Sequence, residues 1–445
     1  MKPLFKLVFT LLLFPAFQLS AQWTYFEQMP YAKVQFDMLK QGDSLYMVGG
    51  NLSGSMSDKI EIYNLNESKW KSSWDLSSGR CFAGSVIGDS GMYVIGGTTF
   101  QGGPWYGSNA IDIFQNGQRT TVQLADTIFT CVPVKVGDYI LIAAGIKWFD
   151  AAQSHAELVE RFHLYNERTK TWSTYGTVNR DAAGVVSTGN QAFIAGGRTA
   201  SGEVSNRIDI FNAATNTWTT DSLSQARYGP KGFYHKGKIY FAGGTTTGTT
   251  QSDVVDIWDG TSWSTAKLSR ARGGIRICST EDYIFFAGGG DLDIDLWRYT
   301  SSFNTVDVLN TKTGEWTVSQ MAWDRINHAA ASSASAAYVA GGISFDNGTA
   351  MVSEIEQWNI ALHTGSNVER IQTMVFPNPT RDMVTLRIDP TQTVESITLT
   401  NSLGEHVATM DASQDVVSTT ALAPGVYQFL IQYETGVECV RFVRL

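Results

Sequence analysis

Six cations stand at one recurrent position of this 445-residue chain: Lys33, Arg80, Arg180, Arg227, Arg272 and Arg325. Each lies sixteen residues ahead of a glycine that ends a short apolar run, and in a further copy of the pattern Ile128 takes the same place. Two chemistries fit such a column. Cations arranged round an opening would receive the carboxylates of a glycan or protein ligand. The other possibility is that each cation is held inside the fold by an acid. A second column supplies the acids: Glu61, Asp112, Asp209, Asp256, Asp307 and Glu356, with His163 in the copy that carries Ile128. Base and acid are therefore lost together, in the same copy. That joint loss favours partly buried Arg–carboxylate bridges with forked geometry, because a buried charge requires a partner.

Aromatic residues beside charged groups form a second set of candidates. Trp105 and Tyr106 lie in "TTFQGGPWYGSN", Trp148 and Phe149 in "IKWFDAAQSH", and Trp297 and Tyr299 in "GDLDIDLWRYTSSF". On exposed loops they would stack on sugar rings or anchor a protein partner; otherwise they pack on neighbouring loops. The stretch "DLDID" spaces Asp291, Asp293 and Asp295 at alternate positions, which could gather carboxylates around calcium. It lacks the glycine and distal glutamate of an EF-hand loop.

The elements that must position these residues follow from a period. The apolar runs "LYMVGG" (45–50), "MYVIGG" (92–97), "AFIAGG" (192–197), "IYFAGG" (239–244), "IFFAGG" (284–289) and "AYVAGG" (337–342) each stop on two glycines, and "ILIAAG" (140–145) is a degenerate member. Successive members are 47, 48, 52, 47, 45 and 53 residues apart, a period of stacked supersecondary units. A second strand follows each loop, such as "IDIFN" (208–212), and a third opens on Trp70, Trp172, Trp218, Trp263 or Trp316. With the strand ahead of each double-glycine run, this makes four per unit, one propeller blade. The seventh unit has "IEQWN" (355–359) but no Trp strand after it, and an orphan "WTYF" begins at Trp23. The spacing predicts that this segment supplies the missing outer strand and closes the ring.

The double glycine, the aromatic before it, the acid–x–aromatic strand and the Trp recur in order, and together they resemble the Kelch repeat over roughly residues 23–360. The resemblance implies an all-β, seven-bladed β-propeller across residues 22–360, of a kind known for binding partners. It weakens at the third unit, which has Ala144 for one glycine, and at the second, which lacks its Trp. Copper radical oxidases share the propeller, but they need two histidine ligands and a Tyr–Cys cross-link, and His155, His163, His235 and His328 form no cluster in the sequence. A sialidase would need a Ser-x-Asp-x-Gly-x-Thr-Trp turn that is absent. A propeller enzyme on acidic sugars, like the Kelch-type sialic acid epimerases, remains the alternative.

Beyond a polar linker (361–373) the period stops. "VFPNPTRDMVTLRI", "SITLTNSLGEHV", "LAPGVYQFLI" and the terminal "RFVRL" alternate strand and turn residues, which predicts a small Ig-like antiparallel sandwich over residues 374–445. Their order resembles the C-terminal sorting domain of the type IX secretion pathway. The resemblance implies handling by that machinery and delivery outside the cell or to its surface. Residues 1–21, with Lys2, Lys6 and an apolar core before Ser20-Ala21, read as a secretory signal peptide. No later run is long enough to span a membrane.

Composition narrows the remaining classes. A net charge of −9 argues against general nucleic-acid binding, which needs clustered cations. Cys81, Cys131, Cys278 and Cys439 form no CxxC pair, and buried free thiols are expected rather than disulfides. The reading is an exported Kelch propeller acting as a binding or adhesion module on an unidentified glycan or protein, without a cofactor.

Overall fold

The computed structural model describes residues 23–99, 106–143, 145–149, 156–158, 162–175, 180–296, 298–346, 349–359, 374–376, 380–388, 394–401, 405–411, 416–433 and 436–444. The signal-peptide and linker segments, Trp105 and Trp297 lie outside the described residues. The chain divides into two compact units, residues 1–363 and 364–445.

The repeat builds one unit four strands at a time. In the fourth copy, Gly184–Ser187, Gln191–Ala195, Arg207–Asn212 and Thr217–Ser222 pair antiparallel in chain order. The same order is found in every copy except the last, where Thr24–Gln28 lies outside Glu354–Asn359, Ala336–Ala340 and Ala329–Ser332. The innermost strands touch in sequence: Asp37–Gln41, Gly84–Gly88, Val132–Val136, Gly184–Ser187, Lys231–His235, Arg276–Ser279, Ala329–Ser332 and back to Asp37–Gln41. The sheets are thus blades around one axis, and the first unit is an all-β propeller.

The apolar runs do not alternate with polar residues because both faces of the second strand are covered by neighbouring blades. Met92, Tyr93, Val94 and Ile95 are all buried. At the outer edge only one side is covered, so the Trp residues are half-buried and close gaps between blades. Trp218 stacks on Phe162 of the previous blade, with ring centroids 4.6 Å apart and planes 7° from parallel. Trp23 is buried between Trp358 and Phe285. Thr24 faces Gln357, and the Met29 amide donates to the Ser353 carbonyl at 2.8 Å. The amino-terminal strand is therefore the outer strand of the Glu354–Asn359 sheet.

The double glycines clasp one blade to the next. Gly288 and Gly289 have φ of 60° and 97°, a left-handed backbone open chiefly to glycine. A Cβ on Gly288 would lie 2.8 Å from the Arg325 carbonyl oxygen, and the Gly289 amide donates to that oxygen at 3.0 Å. The same bond closes the ring, from the Gly342 amide to the Lys33 carbonyl at 3.0 Å.

Cys81, Cys131 and Cys278 are free and buried, and burial pushes each thiol up to about 12. The second unit is a two-sheet antiparallel sandwich. Met374–Phe376, Met383–Arg387 and Val416–Ser418 form one sheet, and His406–Met410, Val394–Asn401, Gly425–Tyr433 and Gly436–Arg444 the other. Val384, Leu386 and Val417 from the first meet Ile397, Phe429 and Phe442 from the second in one core.

Candidate functional site

The cation column belongs to the walls of the propeller. Lys33, Arg80, Arg227, Arg272 and Arg325 have no solvent-exposed surface, and Arg180 is 5% exposed. Each pairs with the acid of its own blade: Arg80 with Asp112 at 2.6 Å, Arg272 with Asp307 at 2.7 Å, and likewise Lys33–Glu61, Arg180–Asp209, Arg227–Asp256 and Arg325–Glu356. Arg227 also donates to the carbonyls of Gly243, Val254 and Phe241. Its own main-chain neighbourhood receives the clasp from the preceding blade, the Gly197 amide reaching the Arg227 carbonyl at 2.8 Å. Side chain and backbone of one residue thus tie two blades together. A ligand at the channel mouth meets no free guanidinium from Arg80, Arg180, Arg227, Arg272 or Arg325. In the third blade Ile128 is buried, and His163 faces Asp126 at 3.3 Å.

Two residues beyond each of the six cations, and beyond Ile128, the chain reaches the axis. Gln35, Phe82, Thr130, Ala182, Gly229, Gly274 and Asn327, one from each blade, line a cavity of about 510 Å³ at one mouth of the channel. Six of these are left-handed, among them Gln35 (φ 56°), Phe82 (φ 56°), Ala182 (φ 45°) and Asn327 (φ 51°), where glycine would be easier. Non-glycine residues in this region cost on the order of 1 kcal/mol each. Backbone bonds running around the mouth hold them: Phe82 N–H to Gln35 C=O at 2.8 Å, Gly229 to Ala182 at 2.9 Å, and Gln35 to Asn327 at 2.9 Å. The loops after the double glycines emerge beside these residues, through bridges such as Val34 with Asn51 and Tyr228 with Thr245.

Two cations open into this cavity, both missed by the sequence reading. Lys231 and Arg276 begin the innermost strands of adjacent blades and line the cavity wall. Among the described residues neither has an ion-pair partner, and Arg276 makes only a 3.5 Å bond from Nη1 to the Ile275 carbonyl. Burial and then the Arg276 charge lower the Lys231 ammonium to about 8, against a smaller opposing pull from Asp37. A signal was present: four residues past the cation column the sequence reads Asp37, Gly84, Val132, Gly184, Lys231, Arg276 and Ala329. Two adjacent units carry cations where the repeat demands nothing.

A titratable acid sits beside the same mouth. Asp181 is 1% exposed, and its Oδ1 accepts no hydrogen bond among the described residues. Burial raises its carboxyl to about 7, although Arg198 pulls the other way. The Arg198 guanidinium lies 5.5 Å from the ring centre of Tyr228, a cavity residue. A carboxyl whose folded pKa exceeds its unfolded value favours folding at low pH, and that contribution is lost as pH rises from about 4 through about 7. Asp181→Asn should therefore raise the melting temperature near pH 8 and raise it distinctly less near pH 5, measured by thermal unfolding at both values. Equal shifts at the two values would contradict a raised carboxyl.

The loop candidates are dispersed. Tyr106 is 54% exposed on the rim, and the strand Ile146–Phe149, which carries Trp148, pairs with Tyr106 through backbone register. Loops of the second and third blades are thereby joined. In the sixth blade Leu292–Asp293 and Arg298–Tyr299 form a short hairpin over the mouth. The Arg198 side chain donates to the Ile294 carbonyl at 2.9 Å, and Tyr299 lines the cavity above Gly274. The calcium candidate is not built. Asp293 Oδ1 accepts the amides of Asp295 and Leu296, and Asp291 Oδ2 accepts the Ser301 hydroxyl. The chain turns at residues 294–296, and the Asp291 and Asp293 carboxylates bond different partners. Among the described residues no three metal-ligating side chains converge.

A ring of four-stranded blades, clasped by double glycines and opening through one mouth, defines a Kelch-type propeller. A family model for the Kelch motif matches residues 179–220, and one described as a secretion system C-terminal sorting domain matches residues 374–443. The chain thus carries Kelch repeats and a type IX sorting tail, which implies handling by that machinery and export to the cell surface or outside. Kelch-like protein 25 of Xenopus tropicalis is 24% identical over 242 residues, covering 53% of this chain; the chain spans 40% of that relative. Among solved structures, YjhT aligns at 15% identity and TM-score 0.50, covering 66% of this chain and 99% of its own. A fungal alcohol oxidase in complex with copper aligns at 14% identity and TM-score 0.58, covering 95% and 99%. At these identities the likeness is one of fold. No helix among the described residues is long and apolar enough to cross a membrane.

Proposed function

We propose that this chain is an exported binding protein whose channel mouth takes a small anionic ligand, such as a carboxylate-bearing sugar. One observation carries the reading: Lys231 and Arg276, neither ion-paired among the described residues, present adjacent positive charges to a cavity of about 510 Å³. An enclosed cation without a counter-ion is costly, and an incoming carboxylate supplies one. Apolar walls from Phe82, Val185 and Ile275 suit the carbon skeleton of such a ligand. The exposed Tyr106 extends the proposed surface toward longer glycans. A second reading, turnover of an acidic sugar, draws support from Asp181, a buried acid that exchanges a proton near neutrality beside Tyr228.

Titration calorimetry with glucuronate and with glucose at low salt tests the binding reading. Glucuronate alone should bind, and Lys231→Met with Arg276→Met should weaken it by at least about 30-fold, from two charge-assisted bonds. Because Lys231 loses its proton near 8, wild-type affinity should fall between about pH 7 and about pH 9.5. Equal affinity for glucose, or an unaltered double variant, would refute an anion site. Consumption of glucuronate or a sialic acid, abolished by Asp181→Asn, would favour the second reading.

A further inference from the structure

We propose that Lys231 is a nucleophilic amine that condenses with the carbonyl group of a small carboxylate seated on Arg276. The inference rests on the anionic-ligand reading and adds a covalent step and a substrate class to it: 2-oxo acids and aldehydic acids.

The surroundings of Lys231 set it apart. Lys33 is buried against Glu61 and the Gly49 carbonyl, and Lys135 is bound to Asp89 and Glu167. Lys59, Lys69, Lys71, Lys267 and Lys312 all face carboxylates at the surface. Lys231 faces a cavity, and among the described residues no acceptor meets its ammonium. The charged groups that set its protonation are Arg276 on the next blade and Asp37 on the first, and Lys231 in turn disfavours a charge on His328 of the last blade. Burial holds His328 neutral, so Arg276 and Asp37 are the charges that matter. With its proton half lost near 8, the amine combines a useful neutral fraction with ordinary nucleophilicity. Arg276 would fix the carboxylate end of the ligand, leaving the carbonyl for the neighbouring strand.

The step balances without an oxidant. The nitrogen lone pair of Lys231 forms a C–N bond to the carbonyl carbon while the C=O π pair moves to oxygen. A proton passes from nitrogen to that oxygen through solvent in the open mouth, giving a carbinolamine. Protonation of its hydroxyl and departure of one water leave a protonated imine, which returns to amine and carbonyl by the reverse path.

The test incubates the full chain with glyoxylate or pyruvate and cyanoborohydride, followed by peptide mass spectrometry. The expected result is a single saturable reductive adduct on the Lys231 peptide. Its rate should rise with pH through about 8, while carboxylate affinity, read by calorimetry, falls over the same interval. Lys231→Arg should abolish the adduct, with thermal unfolding as the check on folding. Arg276→Gln should still react but require at least about 10-fold more glyoxylate, consistent with loss of one charge-assisted contact. Adducts spread over surface lysines at rates equal to Lys231, or no adduct on Lys231, would overturn the proposal. Carboxylate binding without an adduct sinks the imine alone; absence of both sinks the anion site as well.

Discussion

Trp23→Ala is expected to destabilise the propeller by about 3–5 kcal/mol, and removal of residues 22–28 by more. Trp23 is 3% exposed and sits between Trp358 of the last blade and Phe285 of the blade before it. Truncation would empty a volume walled by two sheets that other clasps hold in place, so the void could not easily collapse. Deleting the strand adds the loss of its pairing to Glu354–Asn359 and of the Met29–Ser353 bond. It also turns the last blade into an open edge at the one place where the ring is joined by non-consecutive chain. Trp263→Ala, at a half-buried outer position, should cost distinctly less. Denaturant unfolding of the three variants checks the ranking. If Trp23→Ala costs no more than Trp263→Ala, the amino-terminal strand is not the closure of the ring.

Arg227→Met should cost about 3–5 kcal/mol, while Arg227→Met combined with Asp256→Leu should recover much of that loss. The single change leaves the Asp256 carboxylate buried with its remaining bond from the Ser224 amide, and strips donors from three carbonyls. The double change removes the charge along with its partner. The chain already contains a comparable blade: the third has Ile128 where the others have a cation, and His163 where they have an acid. Its strands pair in the same order as the rest. The measurement is equilibrium unfolding in denaturant. A single variant within about 0.5 kcal/mol of wild type would show the pair to be dispensable. Loss of carboxylate binding in Arg227→Met without loss of stability would return the column to the ligand.

Much of the propeller was legible because a repeat amplifies weak signals. One "YVIGG" run is ambiguous between a buried strand and a piece of helix, but the same run returning with an acid–x–aromatic strand and a Trp is not. The pairing of Arg80 with Asp112, and of its five counterparts, could be argued from the single copy that lacks both members. The site was harder to see for the same reason. Repetition draws attention to columns that every blade shares, and those columns hold the blades together. Lys231 and Arg276 matter because the other blades lack them, and that exception gains meaning only once the inward-facing position is known. Of the loop aromatics named from sequence, Tyr299 lines the cavity, while Trp105 and Trp297 lie outside the described residues.

The sequence by itself determined the blade, the order of its strands and the presence of a sorting tail. These depend on local periodicity and on matched columns, which are written along the chain. Only the tertiary structure decided which charges are available to a ligand. Arg227 and Lys231 stand four residues apart, yet one is enclosed between sheets with a carboxylate and the other lines the cavity without one among the described residues. Burial and the distance to a counter-charge are properties of the closed ring, and no stretch of sequence contains them.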